Sequence, residues 1–144
     1  MMMVVTTCIL VVFGEDNFKD GGQEFSIPIN PIAQQHFYQN DHEPALLPYV
    51  AKMSDDLLEF SEKPKEVRIV NENGNLLLAG DNDRRFFEAA WLHKYKGKYY
   101  FSYSTGDTHF ICYAIGETPY GPFTYKGRIL NPVVGWTSHH SICE

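Results

Sequence analysis

A chain of 144 residues is one domain's worth and can bury a core, and 44% hydrophobic with 15% aromatic residues marks it as globular rather than disordered. A formal net charge of −6 leaves no basic footprint and argues against a nucleic-acid partner, whereas a neutral ligand sits easily with it. The three cysteines, Cys8, Cys112 and Cys143, are odd in number, far apart and without a CxxC, so free thiols in a reduced setting are expected rather than a disulfide framework or a zinc knuckle.

Residues 1–13, MMMVVTTCILVVF, have the apolar character of a leader but no basic start, the first cation being Lys19, and no small-residue cleavage site. The run is too short to cross a bilayer, and its β-branched residues predict a buried strand. No Asn-x-Ser/Thr acceptor occurs, so no signal for secretion is recognised and localisation stays open. Residues 14–44 hold turn signals (Asp20-Gly21-Gly22, Pro28, Asn30-Pro31, and Asp41 to Pro44) without periodicity, and no element is placed there.

From Ala45 the pattern becomes regular. Residues 45–53 predict a strand, Ser54-Asp55-Asp56 a turn and residues 67–70 a further strand. Asn73-Gly74 signals a hairpin turn into Leu76, Leu77 and Leu78, and residues 80–83 form a loop. Residues 86–108, FFEAAWLHKYKGKYYFSYSTGDT, then predict a hairpin with Glu88 at the head of its first strand, a turn at 95–98 and a return strand at 99–104. On that return strand Tyr99, Phe101 and Tyr103 share one face while Tyr100, Ser102 and Ser104 share the other. Read alone, this is an ordinary amphipathic hairpin with a solvated glutamate, because one carboxylate is weak evidence. Residues 109–115 predict a third strand, 118–122 a turn and 127–130 a fourth strand, and no segment has the period and length of a usual helix. The chain is all-β.

The sequence also echoes itself. Ala51, Ser54-Asp55 and Phe60 correspond to Ala114, Gly116-Glu117 and Phe123, and 63 positions separate the two alanines and the two phenylalanines alike. Ser61 with Lys63 is matched by Thr124 with Lys126, and residues 67–70 by 127–130 after a short insertion. A repeat of this length made of short strands predicts β-propeller blades of four antiparallel strands, about two to three of them here. After each echo a new inner strand is expected, one entered at Phe86-Phe87-Glu88 and the next at Trp136-Thr137-Ser138-His139. Inner strands line one central channel, so Glu88 and His139 are predicted to approach each other across 51 positions of sequence.

Several of these segments together resemble glycoside hydrolase family 43, the β-xylosidase and α-L-arabinofuranosidase group. The resemblance is carried by Phe87 to Lys94, the Lys96-Gly97-Lys98-Tyr99-Tyr100 hairpin, Ser102 to Gly106, Tyr120 to Phe123 and Gly135 to Ser141, with Asp55-Asp56-Leu57 fitting a strand-end turn. It covers residues 45–144 of what reads as a single partial domain over 1–144; residues 1–44 resemble nothing assignable. It implies a five-bladed β-propeller with a funnel-shaped site on its axis, acting on pentose-containing oligosaccharide or polysaccharide by an inverting acid/base mechanism. It further implies Glu88 as the general acid, with Phe86, Phe87 and Trp91 as apolar surroundings that raise its pKa. Phe87, Trp91, Thr108 and His139 are then expected at the sugar, and His139 as the axial histidine that often helps hold a hydrated calcium.

The departures matter as well. An inverting mechanism needs a base on the opposite face of the sugar, about 6.5–9.5 Å from the acid. Neither that aspartate nor the one that tunes the acid is recognised: Asp16 and Asp20 lack the motif, while Asp81 and Asp83 read as turn-formers. The chain therefore reads as a piece of an enzyme holding one of three catalytic carboxylates. The six histidines show no HExxH, and adjacent His139 and His140 would point to opposite faces of a strand. His36, His42, His93 and His109 read as surface or hairpin residues. The rival reading is a non-catalytic propeller fragment that binds carbohydrate through its aromatic hairpin, or pairs with another copy through exposed sheet edges.

Overall fold

A computed structural model describes residues 40–106, 108–132 and 139–142 in full, together with the backbone of strands at 9–12, 18–20 and 23–25. All regular elements among them are strands: β1 (Ile9–Val12), β2 (Phe18–Asp20), β3 (Gln23–Phe25), β4 (Tyr49–Lys52), β5 (Lys65–Glu66), β6 (Ile69–Val70), β7 (Phe86–Tyr95), β8 (Lys98–Thr105), β9 (Ile111–Gly116) and β10 (Phe123–Leu130). They make a three-stranded sheet, β1-β4-β5, a five-stranded sheet, β6-β10-β9-β8-β7, and the two-stranded β2-β3.

The large sheet is organised by a two-residue turn. Lys96 and Gly97 both have positive φ, 47° and 83°. That pair of left-handed residues matches the twist of the flanking strands and sets Tyr95 opposite Lys98. From there β7, β8, β9 and β10 run antiparallel in sequence order, the four-stranded unit the repeat predicts, and β6 adds to β10 in parallel through Ile69 and Val70. Its core is a run of buried aromatics: Phe101 lies 5.3 Å from Phe123, and Phe86 lies 5.7 Å from Tyr103, centroid to centroid. Burying each such side chain contributes about 2–3 kcal/mol. Tyr99, Phe101 and Tyr103 gather at the core as their shared face requires, and the other face is covered as well, since all of Phe101–Thr105 is buried. β8 is central, with neighbours on both edges, and its serine face is covered too.

Several predicted boundaries move. The strand expected at 45–53 shortens to β4, flanked by single bridges at Pro44 and Met53, and 76–78 also makes only bridges, Val70↔Leu76 and Pro44↔Leu78. The strand expected at 109–115 runs instead as β9, two residues later at its start, and that at 127–130 begins four residues earlier as β10. The strand expected at 67–70 is divided between sheets. Val67 donates its N–H to Pro48 O beside β4, whereas Arg68 O accepts from Phe123 N at the head of β10. One residue thus carries the chain from one sheet to the next. Within 14–44, where no element was placed, β2 and β3 pair as a hairpin around the Asp20-Gly21-Gly22 turn signal. The strand expected in 1–13 is present as β1, which pairs antiparallel with β4; residues 1–8 and 13 lie outside the described residues.

The repeat is visible in register. Met53 opposes Phe60, and Ile115 opposes Thr124, so shifting the first pair by one repeat lands on the same antiparallel ladder as the second. Both echoed alanines are fully buried, as is Phe123, and Phe60 nearly so. The sheets are tied where Glu62 accepts hydrogen bonds from Lys52 N (3.0 Å), Lys65 Nζ (2.6 Å) and, across to the β9–β10 turn, Tyr120 Oη (2.6 Å).

Candidate active site

Glu88 sits where β7 is least regular. Its ladder partners run Phe86↔Thr105, Glu88↔Ser104 and Trp91↔Ser102, so the register slips twice within six residues. Within the second slip, between Glu88 and Trp91, Ala89 has φ of 54°, a left-handed conformation that costs a non-glycine residue about 1 kcal/mol. Consecutive bulges of this kind re-aim side chains and are common beside functional sites. Nothing in Glu-Ala-Ala announces them, since the usual sequence signal, a glycine, is absent.

The Glu88 side chain keeps 30% of its surface, but its Oε1 is buried and has no hydrogen-bond partner among the described residues. His139 Nε2 stands 3.9 Å from that oxygen, too far for a hydrogen bond and close enough for an ion pair when the imidazole is protonated. The approach predicted from the repeat is therefore present. The strand predicted to deliver His139 is not: residues 139–142 carry no strand, and Trp136 to Ser138 lie outside the described residues.

The other expected site residues are distributed unequally. Trp91, 36% exposed, lies three residues beyond Glu88 on β7. Phe87 is half-buried, with the Arg85 guanidinium 5.8 Å from its ring centroid. Phe86 is buried in the core against Phe101 and Tyr103. Thr108 lies in the β8–β9 loop, where its hydroxyl donates to Asn82 O (2.8 Å) and meets Thr105 Oγ1 (2.8 Å). Asp81 acts in a turn, its carbonyl accepting from Arg84 N and Arg85 N and its carboxylate binding Arg84. The hydrogen bond from Arg84 to Asp81 holds the guanidinium pKa above its ordinary value. Asp83 caps nothing catalytic either; its carbonyl faces the buried Cys112 thiol at 3.6 Å. Asp16 is outside the described residues, and Asp20 ends β2, which is described as backbone alone.

Two residues not singled out from sequence complete the neighbourhood. Ser102 is 1% exposed, and its Oγ lies 2.6 Å from His140 Nε2 and 3.5 Å from Trp91 O. Burial pushes the His140 imidazole pKa below its ordinary value, as do the charges of His139 and His93. The adjacent histidines reach two different points of one hairpin, His139 standing 3.9 Å from Glu88 and His140 2.6 Å from Ser102. A buried serine on an aromatic strand was the available signal. The partner 38 positions away had none.

A cleft of about 390 Å³ lies elsewhere, between Asp41, His42, Leu78 and Arg84, and contains neither Glu88 nor His139. Calcium takes six to eight oxygen ligands. Among the described residues no three acidic, histidine or cysteine side chains converge, and the neighbourhood of His139 supplies a single carboxylate. These residues do not form a calcium cage of their own.

No protein-family profile matches the chain. A xylosidase/arabinosidase of Bacteroides ovatus is 56% identical over 124 residues, 86% of this chain and 38% of that protein. A β-xylosidase of Xylanibacter ruminicola is 55% identical over 124 residues, 86% of this chain and 39% of that protein. Among solved structures, a GH43 β-xylosidase/α-arabinofuranosidase from a compost microbial metagenome, in a calcium-free form with xylotriose, is 65% identical with a TM-score of 0.72, over 74% of this chain and 32% of that one. A GH43_1 enzyme of Xanthomonas citri, complexed with xylose, is 55% identical with a TM-score of 0.70, over 73% of this chain and 31% of that one. The chain thus spans somewhat over a third of the curated relatives it matches. The matched stretch is longer than residues 45–144, so it extends into the first forty-odd residues that sequence reading left without a resemblance.

Proposed function

Because the chain belongs to glycoside hydrolase family 43 and its sheets are blades of a partial five-bladed β-propeller, we propose that it carries the acid side of a glycosidase site, with Glu88 as general acid for release of terminal xylose or arabinofuranose from xylan-type glycosides. The observation that supports this best is the Glu88 carboxyl itself: one oxygen sheltered and without a hydrogen-bond partner among the described residues, the side chain still a third open, and the backbone bulged to present it. A sugar oxygen arriving at Oε1 would supply the missing partner. Protonated Glu88 then gives its proton to the leaving oxygen as the glycosidic bond breaks, and a water attacks from the opposite face. The base that activates this water, and the aspartate that tunes the acid, are not recognised in this sequence.

In this reading Trp91 and Phe87 offer aromatic surface to the pentose. Thr108 shapes the rim by fixing the loop against Asn82, and His139 places an imidazole beside the acid, where it can also hold a metal-bound water if calcium is present. The distribution of roles predicts a specific kinetic pattern. Glu88→Gln in the whole enzyme should cost about 10²–10⁴-fold on substrates with poor leaving groups and far less on activated aryl xylosides, which need no proton. Equal loss on both would remove Glu88 from the acid role. The present chain alone is expected to turn over little or nothing. In the whole protein, xylooligosaccharide binding without any turnover, unaffected by Glu88→Gln, would favour a carbohydrate-binding module instead.

A further inference from the structure

We propose that Ser102 and His140 are positioning residues: their buried hydroxyl–imidazole contact fixes the 139–142 segment on the β7–β8 hairpin and so sets the His139 imidazole beside Glu88. The inference rests on the reading of Glu88 given above, and three observations carry it. His139 and His140 are consecutive, so their Cα atoms are about 3.8 Å apart, and each reaches the same hairpin. Glu88 opposes Ser104 and Trp91 opposes Ser102, which places the two contact points two residues apart along β8, about 7 Å. Segment 139–142 carries no strand, and among the described residues the His140–Ser102 contact is the hydrogen bond that joins it to the hairpin.

The polarity of the contact follows the tautomer of His140. Ser102 Oγ has an acceptor on its far side, Trp91 O at 3.5 Å. His140 Nδ1 is buried and has no partner among the described residues. With its proton on Nε2, His140 donates to Ser102 Oγ and Ser102 donates onward to the Trp91 carbonyl; in the other tautomer Ser102 donates to Nε2. The Trp91 carbonyl belongs to the strand that holds Glu88, one residue beyond the second register slip. The pair thus ties the histidine segment to the part of β7 whose irregularity aims the acid.

The test uses the chain itself and does not depend on turnover. Nuclear Overhauser contacts between the His139 ring and the Glu88 side chain are measured at one neutral pH in the parent and in three variants. His140→Leu and Ser102→Ala remove the bond and should abolish the contact or weaken it several-fold, while the β7–β10 amide spectrum stays in place. His140→Gln presents an amide N–H near the position of Nε2 and should restore it. A contact that survives both His140→Leu and Ser102→Ala overturns the proposal, as does a loss that His140→Gln fails to rescue. If one variant does not fold, the other with the glutamine rescue decides. Because catalysis is not the readout, failure here is distinct from failure of Glu88 as the acid.

Discussion

In the first copy of the repeat Met53 opposes Phe60 as a single bridge, and the ladder resumes at Val50↔Lys65 for two residues; in the second, Thr124 and Tyr125 begin a strand that follows β9 as far as Leu130. The turn, the small residue and the aromatic are shared, and so is the starting register. What differs is the company. β9 has β8 on its other edge, whereas β4 has β1, four residues long. Local pattern sets where two strands meet; how far they run depends on what stands on either side.

The most severe way to break this comparison is to remove the two aromatics in turn. Phe123 is fully buried, packs at a tilt against Phe101 and is crowded by Gly116 and Gly121, so a cavity there cannot readily collapse. Phe123→Ala should cost about 4 kcal/mol in urea unfolding, and Phe60→Ala about half that, since its bridge site can relax toward solvent. Equal losses would mean that the two copies are energetically equivalent despite their ladders.

The link between the copies tests next. Burial pushes the Glu62 carboxyl up, but hydrogen bonds from Lys65, Tyr120 and the Lys52 N–H, with the Lys65 charge, outweigh it and hold its pKa below the ordinary range. The same hydrogen bond, with burial, pushes the Tyr120 phenol up to about 12, so it remains a donor throughout neutral pH. A depressed carboxylate pKa contributes stability that is present above about pH 4.3, the unfolded value, and is lost as pH falls through the folded one. Tyr120→Phe should therefore cost about 1 kcal/mol at pH 7 and flatten the loss on acidification. A variant whose stability converges on the parent's in acid supports the tie; a constant offset at every pH means that only packing was lost.

Much of this was legible because short-range chemistry speaks plainly. Lys96-Gly97 named its own turn, the alternation at 99–104 named a strand, and the spacing of Ala51-Phe60 against Ala114-Phe123 named a repeated unit that brought His139 to Glu88. The misses share a cause. Residues 67–70 read as one strand because their β-branched pattern is blind to which sheet each residue joins, a choice made by Pro48 O and Phe123 N from far along the chain. Ser102 and His140 are unremarkable until the fold sets them 2.6 Å apart. The Glu88 bulges leave no trace because alanine occupies the left-handed position.

That alanine gives the smallest effect and the finest probe of the difference between the regular hairpin end and the irregular site end of β7. At Gly97 the left-handed turn is met by the residue that tolerates it; at Ala89, φ 54°, it is not. Ala89→Gly should relieve part of the strain and raise stability by a few tenths to about 1 kcal/mol, offset by the greater freedom of glycine in the unfolded chain. Ala89→Val should lower it by more than 1 kcal/mol, because a β-branched side chain is poorly accommodated at positive φ. If the bulge holds Glu88 in place through strain, the glycine variant also blurs the His139–Glu88 contact while the melting transition rises. A higher melting point with that contact unchanged would show that the bulge geometry is held by its ladder partners, Ser104 and Ser102, and not by the residue at its bend.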